Sequence, residues 1–319
     1  MLRIGVVGTG HMGKYHINTL STIPDISFVS ICDKDEQTLK ELSERYGVKA
    51  YTDYKKFLNS VDATIIAVPT YLHYKFASEA INMGKHVLLE KPMTKTIYFA
   101  EKLFELAMKK NVVLQVGHVE RFNGAVQELK NIVKNPHLIQ AQRMSPKSRI
   151  TDVGVVLDLM IHDIDIVLLL AGSNLIDISA YGSRVYSSFE DIASATLYFE
   201  NGTIAHIAAS RITENKIRNL AISQQGSYIF LNYDTQEITI TRQPVSDYTV
   251  LKEEIKYKQE FVVEKVYVHK ENALRLEQMH FIECIKDGKE PKFSPEDDLA
   301  AHRVAKKITD CIYRNWRKQ

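Results

Sequence analysis

The chain is short of the residues that would set it apart from ordinary globular proteins. Its three cysteines, Cys32, Cys284 and Cys311, are odd in number and far apart. They offer no disulfide framework, no redox pair and no metal-ligand spacing, and a reducing cytoplasm is the expected location. No apolar stretch reads as a membrane span. The longest greasy region, 153–171, carries Asp158, His162, Asp163 and Asp165, which suits a buried helix with a polar task. The amino terminus enters a strand pattern directly, without the features of a signal peptide. Formal net charge is only +2, so neither nucleic acid nor an anionic membrane is an expected partner. No low-complexity linker and no internal repeat is visible, so the parts of the chain are expected to pack closely.

What is present points to two domains. The 319 residues, 45% hydrophobic and 25% charged, suffice for more than one core. Strands are expected at 2–7, 26–32, 63–68, 87–89 and 112–116, with helices between them. The run at 63–68 is continuously apolar, as in a parallel strand covered on both faces. After about residue 120 the rhythm changes. One helix is expected over 155–170, followed by strand-like segments at 176–185, 193–199, 203–210, 220–223, 228–232, 237–241 and 260–268. Asn201-Gly202 is a two-residue hairpin signal. Helices return at 273–286 and 295–316. The expected fold class is α/β. A doubly wound parallel sheet occupies 1–120, and an α/β domain with a large, mostly antiparallel sheet occupies 121–319.

Gly8-Thr9-Gly10-His11-Met12-Gly13 falls between the first strand and the first helix. Gly8 permits the tight turn, Gly10 lets a pyrophosphate approach the backbone, and Gly13 lets helix and strand pack closely. Asp33 ends the second strand, twenty residues past Gly13. A carboxylate there accepts hydrogen bonds from ribose hydroxyls and repels a 2′-phosphate, which favours NAD over NADP. The adjacent Lys34 weakens that preference. Val68-Pro69-Thr70, Glu90-Lys91-Pro92 and Gly117-His118 end strands at the carboxyl edge of the sheet, where open α/β sheets bind ligands. Thr70 serves equally well as a helix N-cap, and His73 reads as structural more readily than as cofactor-binding.

Asp158 and His162 stand four residues apart on one expected helix, with Asp165 three further on the same face. A carboxylate beside an imidazole can fix its tautomer and raise its basicity, which suits a general acid or base. A hydrogen-bonded structural network fits the same residues. Asp163 points away from that face. His118, Arg121 and Asn123, after the strand at 112–116, are candidate substrate contacts, with Asp165. Arg143 and Arg149 are candidate anion contacts.

Together these motifs resemble the glucose-fructose oxidoreductase / inositol dehydrogenase / MocA family over nearly the whole chain. The marks are the early G-x-G-x-x-G, Glu90-Lys91-Pro92, and Asp158-x-x-x-His162-x-x-Asp165 about seventy residues later. The resemblance implies a Rossmann domain, a second domain whose open sheet face builds dimers or tetramers, and reversible oxidation of a sugar or cyclitol hydroxyl with NAD(H) or NADP(H). It places Lys91 beside the nicotinamide and the reacting hydroxyl, His162 as the catalytic histidine, and Asp158 as its acidic neighbour. Many members carry a glycine-rich stretch before that aspartate. Here it reads Asp152-Val153-Gly154-Val155-Val156-Leu157. With Gly117-His118-Val119-Glu120-Arg121-Phe122-Asn123, this variant looks like the sugar-nucleotide branch, which includes UDP-N-acetylglucosamine 3-dehydrogenases. His162 as base with Lys91 as electrostatic partner, or the reverse, both suit the chemistry. An NAD-dependent glycosidase and a non-enzymatic dinucleotide-binding sensor are the competing functions on this fold.

Overall fold

A computed structural model describes residues 1–146, 152–242 and 261–317. The first part alternates strand and helix: β1 (Leu2–Val7), α1 (His11–Leu20), β2 (Ile26–Cys32), α2 (Glu36–Tyr46), β3 (Lys49–Tyr51), α3 (Tyr54–Ser60), β4 (Ala63–Ile66), α4 (Thr70–Asn82), β5 (His86–Glu90), α5 (Ile97–Lys110) and β6 (Leu114–Gly117). The six strands form one parallel sheet in the order β3-β2-β1-β4-β5-β6. That order reverses direction at β1, and the crevice between the carboxyl ends of β1 and β4 is where such sheets take a ligand. β4 is buried at every position, because helices cover both faces. Gly47 ends α2 at φ 65°, a left-handed conformation that a side chain would strain.

The second part follows a 3₁₀ turn at Val119–Phe122 and α6 (Gly124–Ile132). It contains β7 (Leu138–Met144), a π-helical turn at Val156–Met160 that runs into α7 (Ile161–Ala171), β8 (Leu175–Ser183), β9 (Ile192–Phe199), β10 (Ile204–Ser210), β11 (Ile217–Gln224), β12 (Ser227–Asn232), β13 (Glu237–Arg242) and β14 (Val262–Val266). Two helices close the fold, α8 (Ala273–Lys286) and α9 (Pro295–Trp316). The eight strands form one sheet, β14-β13-β12-β11-β7-β10-β9-β8. Only the β7–β10 pair is parallel. The Asn201-Gly202 hairpin joins β9 to β10, with Gly202 at φ 84°.

β7 and α6 escape the sequence reading for physical reasons. β7 alternates buried Ile139, Ala141 and Arg143 with exposed Gln140 and Gln142, and a buried arginine breaks the apolar period of two. α6 is capped by Asn123, whose side chain accepts from the Ala125 N–H. The short β3 and α3 were also absent from it. Residue 260, the expected start of the last strand, lies outside the described residues.

The large sheet buries one face against α7 and α9, in a cluster that joins Ile139, Leu197 and Leu220 to Ile164, Val167 and Ile308. The closing helices also reach the parallel sheet. Phe281 and Ile282 of α8 share a core with Ile4, Val6 and Leu88. Leu299 of α9 joins Val87, Leu89 and Met93 on the opposite face. The carboxyl edge of the parallel sheet is thereby held against the start of α7. Among the described residues no helix is long and apolar enough to cross a membrane.

Candidate active site

The glycine turn is shaped as a phosphate cradle. Gly8 sits at φ 89°, and a Cβ there would stand 2.5 Å from the Ala67 carbonyl oxygen. At Gly13 a Cβ would stand 1.8 Å from the Gly8 carbonyl oxygen. Those two glycines are imposed by the packing of α1 on β1 and on the chain after β4. At Gly10 a Cβ would meet nothing within 4 Å, so this glycine leaves open space over the start of α1. No side chain caps α1 and no acidic residue lies in its first turn, which leaves its N–H groups and dipole to attract an anion. His11 and Met12 open the helix and are exposed, with His11 edge-on to Tyr15 at 4.9 Å between centroids.

Asp33 closes the rim of a cleft shared with Thr9, Gly10, Lys14, Lys34 and Thr38. Its Oδ2 accepts the Thr9 N–H (2.6 Å) and hydroxyl (2.9 Å), and its Oδ1 accepts the Lys34 N–H (2.7 Å). The carboxylate is thus oriented before any ribose arrives. These residues fit a dinucleotide: open backbone for phosphate, and a fixed acid at the ribose position.

Pro69 precedes α4 and Thr70 is its first residue, with no side-chain cap at that end. The His73 ring bridges two loops, with Nε2 2.8 Å from the Val68 carbonyl and Nδ1 2.9 Å from the Pro92 carbonyl. It ties the chain after β4 to the chain after β5. Glu90 is equally tied. Its Oε2 accepts the Lys91 N–H (3.1 Å), and its Oε1 lies 2.7 Å from His16 Nε2. Gln278 Nε2 stands 2.9 Å from His16 Nδ1, so the imidazole accepts there and donates to Glu90. Burial pushes Glu90 up, but the His16 contact outweighs it and holds the carboxyl below its usual range.

Lys91 crosses from the parallel sheet to the π-helical turn. Its Nζ donates to the Asp158 main-chain carbonyl at 2.5 Å and lies 3.5 Å from the Asp158 carboxylate. His162 is 9% exposed, and its Nδ1 has no hydrogen-bond partner among the described residues. The expected pairing of Asp158 with His162 is therefore not what fixes that nitrogen. The carboxylate leans toward Lys91, in a turn wound more widely than an α-helix. Burial, then the charges of Lys91, Arg143, His118 and Arg218, hold His162 neutral well below its usual range.

The other expected contacts are drawn into a buried charge network. Arg121 grips Asp165 with two bonds (2.8 and 2.5 Å) and Asp298 with a third (2.6 Å). Burial raises the Asp165 carboxyl, but Arg121 and His118 outweigh it and hold it below the usual range. Asp298 is pushed up to about 7 by burial and by Asp165, against Arg121. His118 lies 4.0 Å from both carboxylates, and burial lowers it to about 4. Arg121 and Asp165, expected as substrate contacts, are thus bonded to each other. Asn123, also expected as a substrate contact, caps α6 and donates to the Tyr233 carbonyl (3.0 Å).

Arg143 is enclosed more completely. It is 1% exposed and bonds Asp163 twice (2.7 and 3.0 Å) and Glu120 once (2.8 Å). Two carboxylates neutralise it, so it is not free to serve as the open anion contact the sequence suggested. Asp163 is its structural partner. Arg149 lies outside the described residues.

Sequence reasoning did not reach His16, Gln278 or Asp298. Their partners lie 74, 262 and 177 residues away respectively, and no local spacing encodes such pairs.

Two family models match the chain. One, described as "Oxidoreductase family, NAD-binding Rossmann fold", covers residues 2–118. The other, the GFO/IDH/MocA C-terminal domain, covers 122–229. A UDP-N-acetylglucosamine 3-dehydrogenase from Acidithiobacillus ferrooxidans is 33% identical over 73% of this chain and 74% of its own. A myo-inositol 2-dehydrogenase from Thermotoga maritima is 30% identical over 66% of this chain and 69% of its own. A solved structure of the Acidithiobacillus enzyme superposes with a TM-score of 0.87 at 27% identity, covering 98% of this chain and 97% of the other. Fold and matches together define an oxidoreductase built on an NAD-binding Rossmann sheet. Within that class, the chain belongs to the GFO/IDH/MocA family.

Proposed function

We propose that this protein is an NAD-dependent dehydrogenase that oxidises a ring hydroxyl of a sugar nucleotide, with C3 of UDP-N-acetylglucosamine as the first candidate. The observation that carries the reading is the convergence of Lys91, Asp158 and His162 at the carboxyl edge of the parallel sheet. The likeness to the Acidithiobacillus enzyme supports the substrate.

Gly8, Gly10 and Gly13 with the start of α1 would hold the pyrophosphate, and Asp33 the adenosine ribose. Asp33 favours NAD, because a carboxylate at that point repels a 2′-phosphate. Bound NAD⁺ supplies the hydride acceptor. The protein handles the proton. His162, held neutral, accepts the hydroxyl proton. Lys91, anchored by the Asp158 carbonyl and carboxylate, presents positive charge to the developing alkoxide. Asp158 acts on Lys91 in this scheme. Glu90, with His16 and Gln278 behind it, fixes the Lys91 backbone. We further propose that copies of the chain associate through the uncovered face of the large sheet, and that the protein works in the cytoplasm, where free cysteines are stable.

The test is product analysis with UDP-N-acetylglucosamine and NAD⁺. Stoichiometric NADH with a keto sugar nucleotide is the expected result. Release of UDP or free sugar without NADH would make the protein a glycosidase.

A further inference from the structure

With Arg143 and Arg121 each neutralised by two carboxylates, and Lys91 held by Asp158, an anion beside the sugar needs another cation. The register of the large sheet supplies one. Arg218 on β11 stands directly opposite Arg143 on β7, and directly paired residues leave the sheet on the same face. That face is the helix side: Leu220 and Ile222, in alternation with Arg218, are fully buried there in the core shared with α7 and α9. Arg218 lies at the sheet's end. Its side chain keeps 32% of its exposure, while Arg143 keeps 2%. The Arg218 charge is among those that hold His162 neutral, so it lies within electrostatic reach of that imidazole.

Arg218 is also loosely held. Among the described residues its carboxylate partner is Asp234, at 3.7 Å. Asp234 is already engaged by Lys216 at 2.8 Å. A guanidinium has five N–H donors arranged as a fork, matched to phosphate.

We infer that Arg218 binds the phosphoryl group attached to the sugar, exchanging its loose contact with Asp234 for the substrate's phosphate. This rests on reading the site as a dehydrogenase of phosphorylated or nucleotide-linked sugars. Glucose 6-phosphate and UDP share that chemistry, and the two are separated by the test.

The experiment measures UDP and glucose 6-phosphate binding to the NAD⁺-loaded protein, with the NAD⁺ affinity and the melting temperature of each variant as controls. Arg218→Ala is expected to weaken UDP binding about ten- to a hundredfold, the usual worth of hydrogen bonds to a charged group, with NAD⁺ affinity unchanged. Asp234→Asn, which removes the competing carboxylate, is expected to bind UDP at least as tightly as wild type. A loss confined to UDP identifies a sugar nucleotide, and a loss confined to glucose 6-phosphate a sugar monophosphate. Unchanged affinity for both ligands in Arg218→Ala overturns the inference. So does a wild-type protein that binds neither ligand yet oxidises a free sugar or cyclitol, a result that leaves the dehydrogenase standing. No oxidation of any hydroxyl, with UDP binding still dependent on Arg218, would instead sink the dehydrogenase and keep the phosphoryl site.

Discussion

Lys91 donates to the main-chain carbonyl of Asp158 at 2.5 Å, while the carboxylate of the same residue stands 3.5 Å away. One side chain from the end of a parallel strand therefore reads the backbone of a π-helical turn that leads into the helix carrying His162. The contact joins the parallel sheet to the helical segment that packs on the large sheet. It also suits the proposed division of labour. The lysine is held by a carbonyl that cannot titrate, and in that proposal the histidine moves the proton.

The glycine turn separates folding from binding. Gly13→Ala drives a Cβ to 1.8 Å from the Gly8 carbonyl oxygen, so it is expected to lower the melting temperature through a loss of stability typical of core overpacking, about 1–3 kcal/mol. Gly10→Ala meets nothing within 4 Å. It is expected to melt with the wild type and to lose dinucleotide affinity, because the methyl fills the phosphate space. Thermal unfolding and NADH-fluorescence titration check the pair. A Gly10→Ala protein that binds NADH as tightly as wild type would remove the cradle from this position.

The pH profile follows from His162. A base must be neutral to act, and burial with the neighbouring cations depresses this imidazole well below its usual range. The rate of oxidation is therefore expected to stay level as pH falls through about 6.5, the ordinary histidine value, and to drop only at lower pH. The linkage to stability runs the same way. Below about 6.5 the unfolded chain binds protons that the buried rings of His162, His118 and His302 refuse, the last two being lowered to about 4. Their contribution to stability is complete above about 6.5 and is lost as pH falls. A kcat/KM profile with an acid limb at or above pH 6.5 would contradict the neutral-base assignment.

Glu277 supplies the opposite sign. It is fully buried on α8, neither carboxylate oxygen has a partner among the described residues, and burial followed by the Glu90 charge raises it well above its usual range. The folded state keeps a proton that the unfolded chain releases above about pH 4.5, which costs stability by about 1.4 kcal/mol per pH unit until the folded group ionises. Glu277→Gln removes that term. Its melting temperature is expected to gain on the wild type progressively between pH 5 and pH 8, whatever the offset at pH 4. Parallel curves across that range would show that Glu277 is already ionised in the fold.

Much of this was legible in the sequence. The β1–glycine–α1 unit announces itself because three glycines, a strand and a helix must occur together, and Asn201-Gly202 forces a hairpin by its own backbone preference. Glu90-Lys91-Pro92 and Asp158 to His162 were visible as motifs. Their relationship was not. The use of the Asp158 carbonyl depends on Lys91, which reaches the π-helical turn from the end of a parallel strand 67 residues earlier. Arg143 looked like an anion contact because nothing local reveals that Glu120 and Asp163 close over it. Arg121 looked free for the same reason, since Asp298 reaches it from 177 residues away. Polar residues in a sequence show what chemistry is available, and packing decides which of them remain open to a ligand.

The most direct test is single-turnover hydride transfer from UDP-N-acetylglucosamine to NAD⁺, followed at 340 nm in the wild type, Lys91→Ala and His162→Ala. Each substitution is expected to slow the chemical step by about 10²- to 10⁴-fold, the usual range for a positioned proton-transfer group, with NAD⁺ affinity and melting temperature retained. Wild-type rates in both variants, with the wild type itself turning over this substrate, would contradict the assignment of Lys91 and His162 to the reaction.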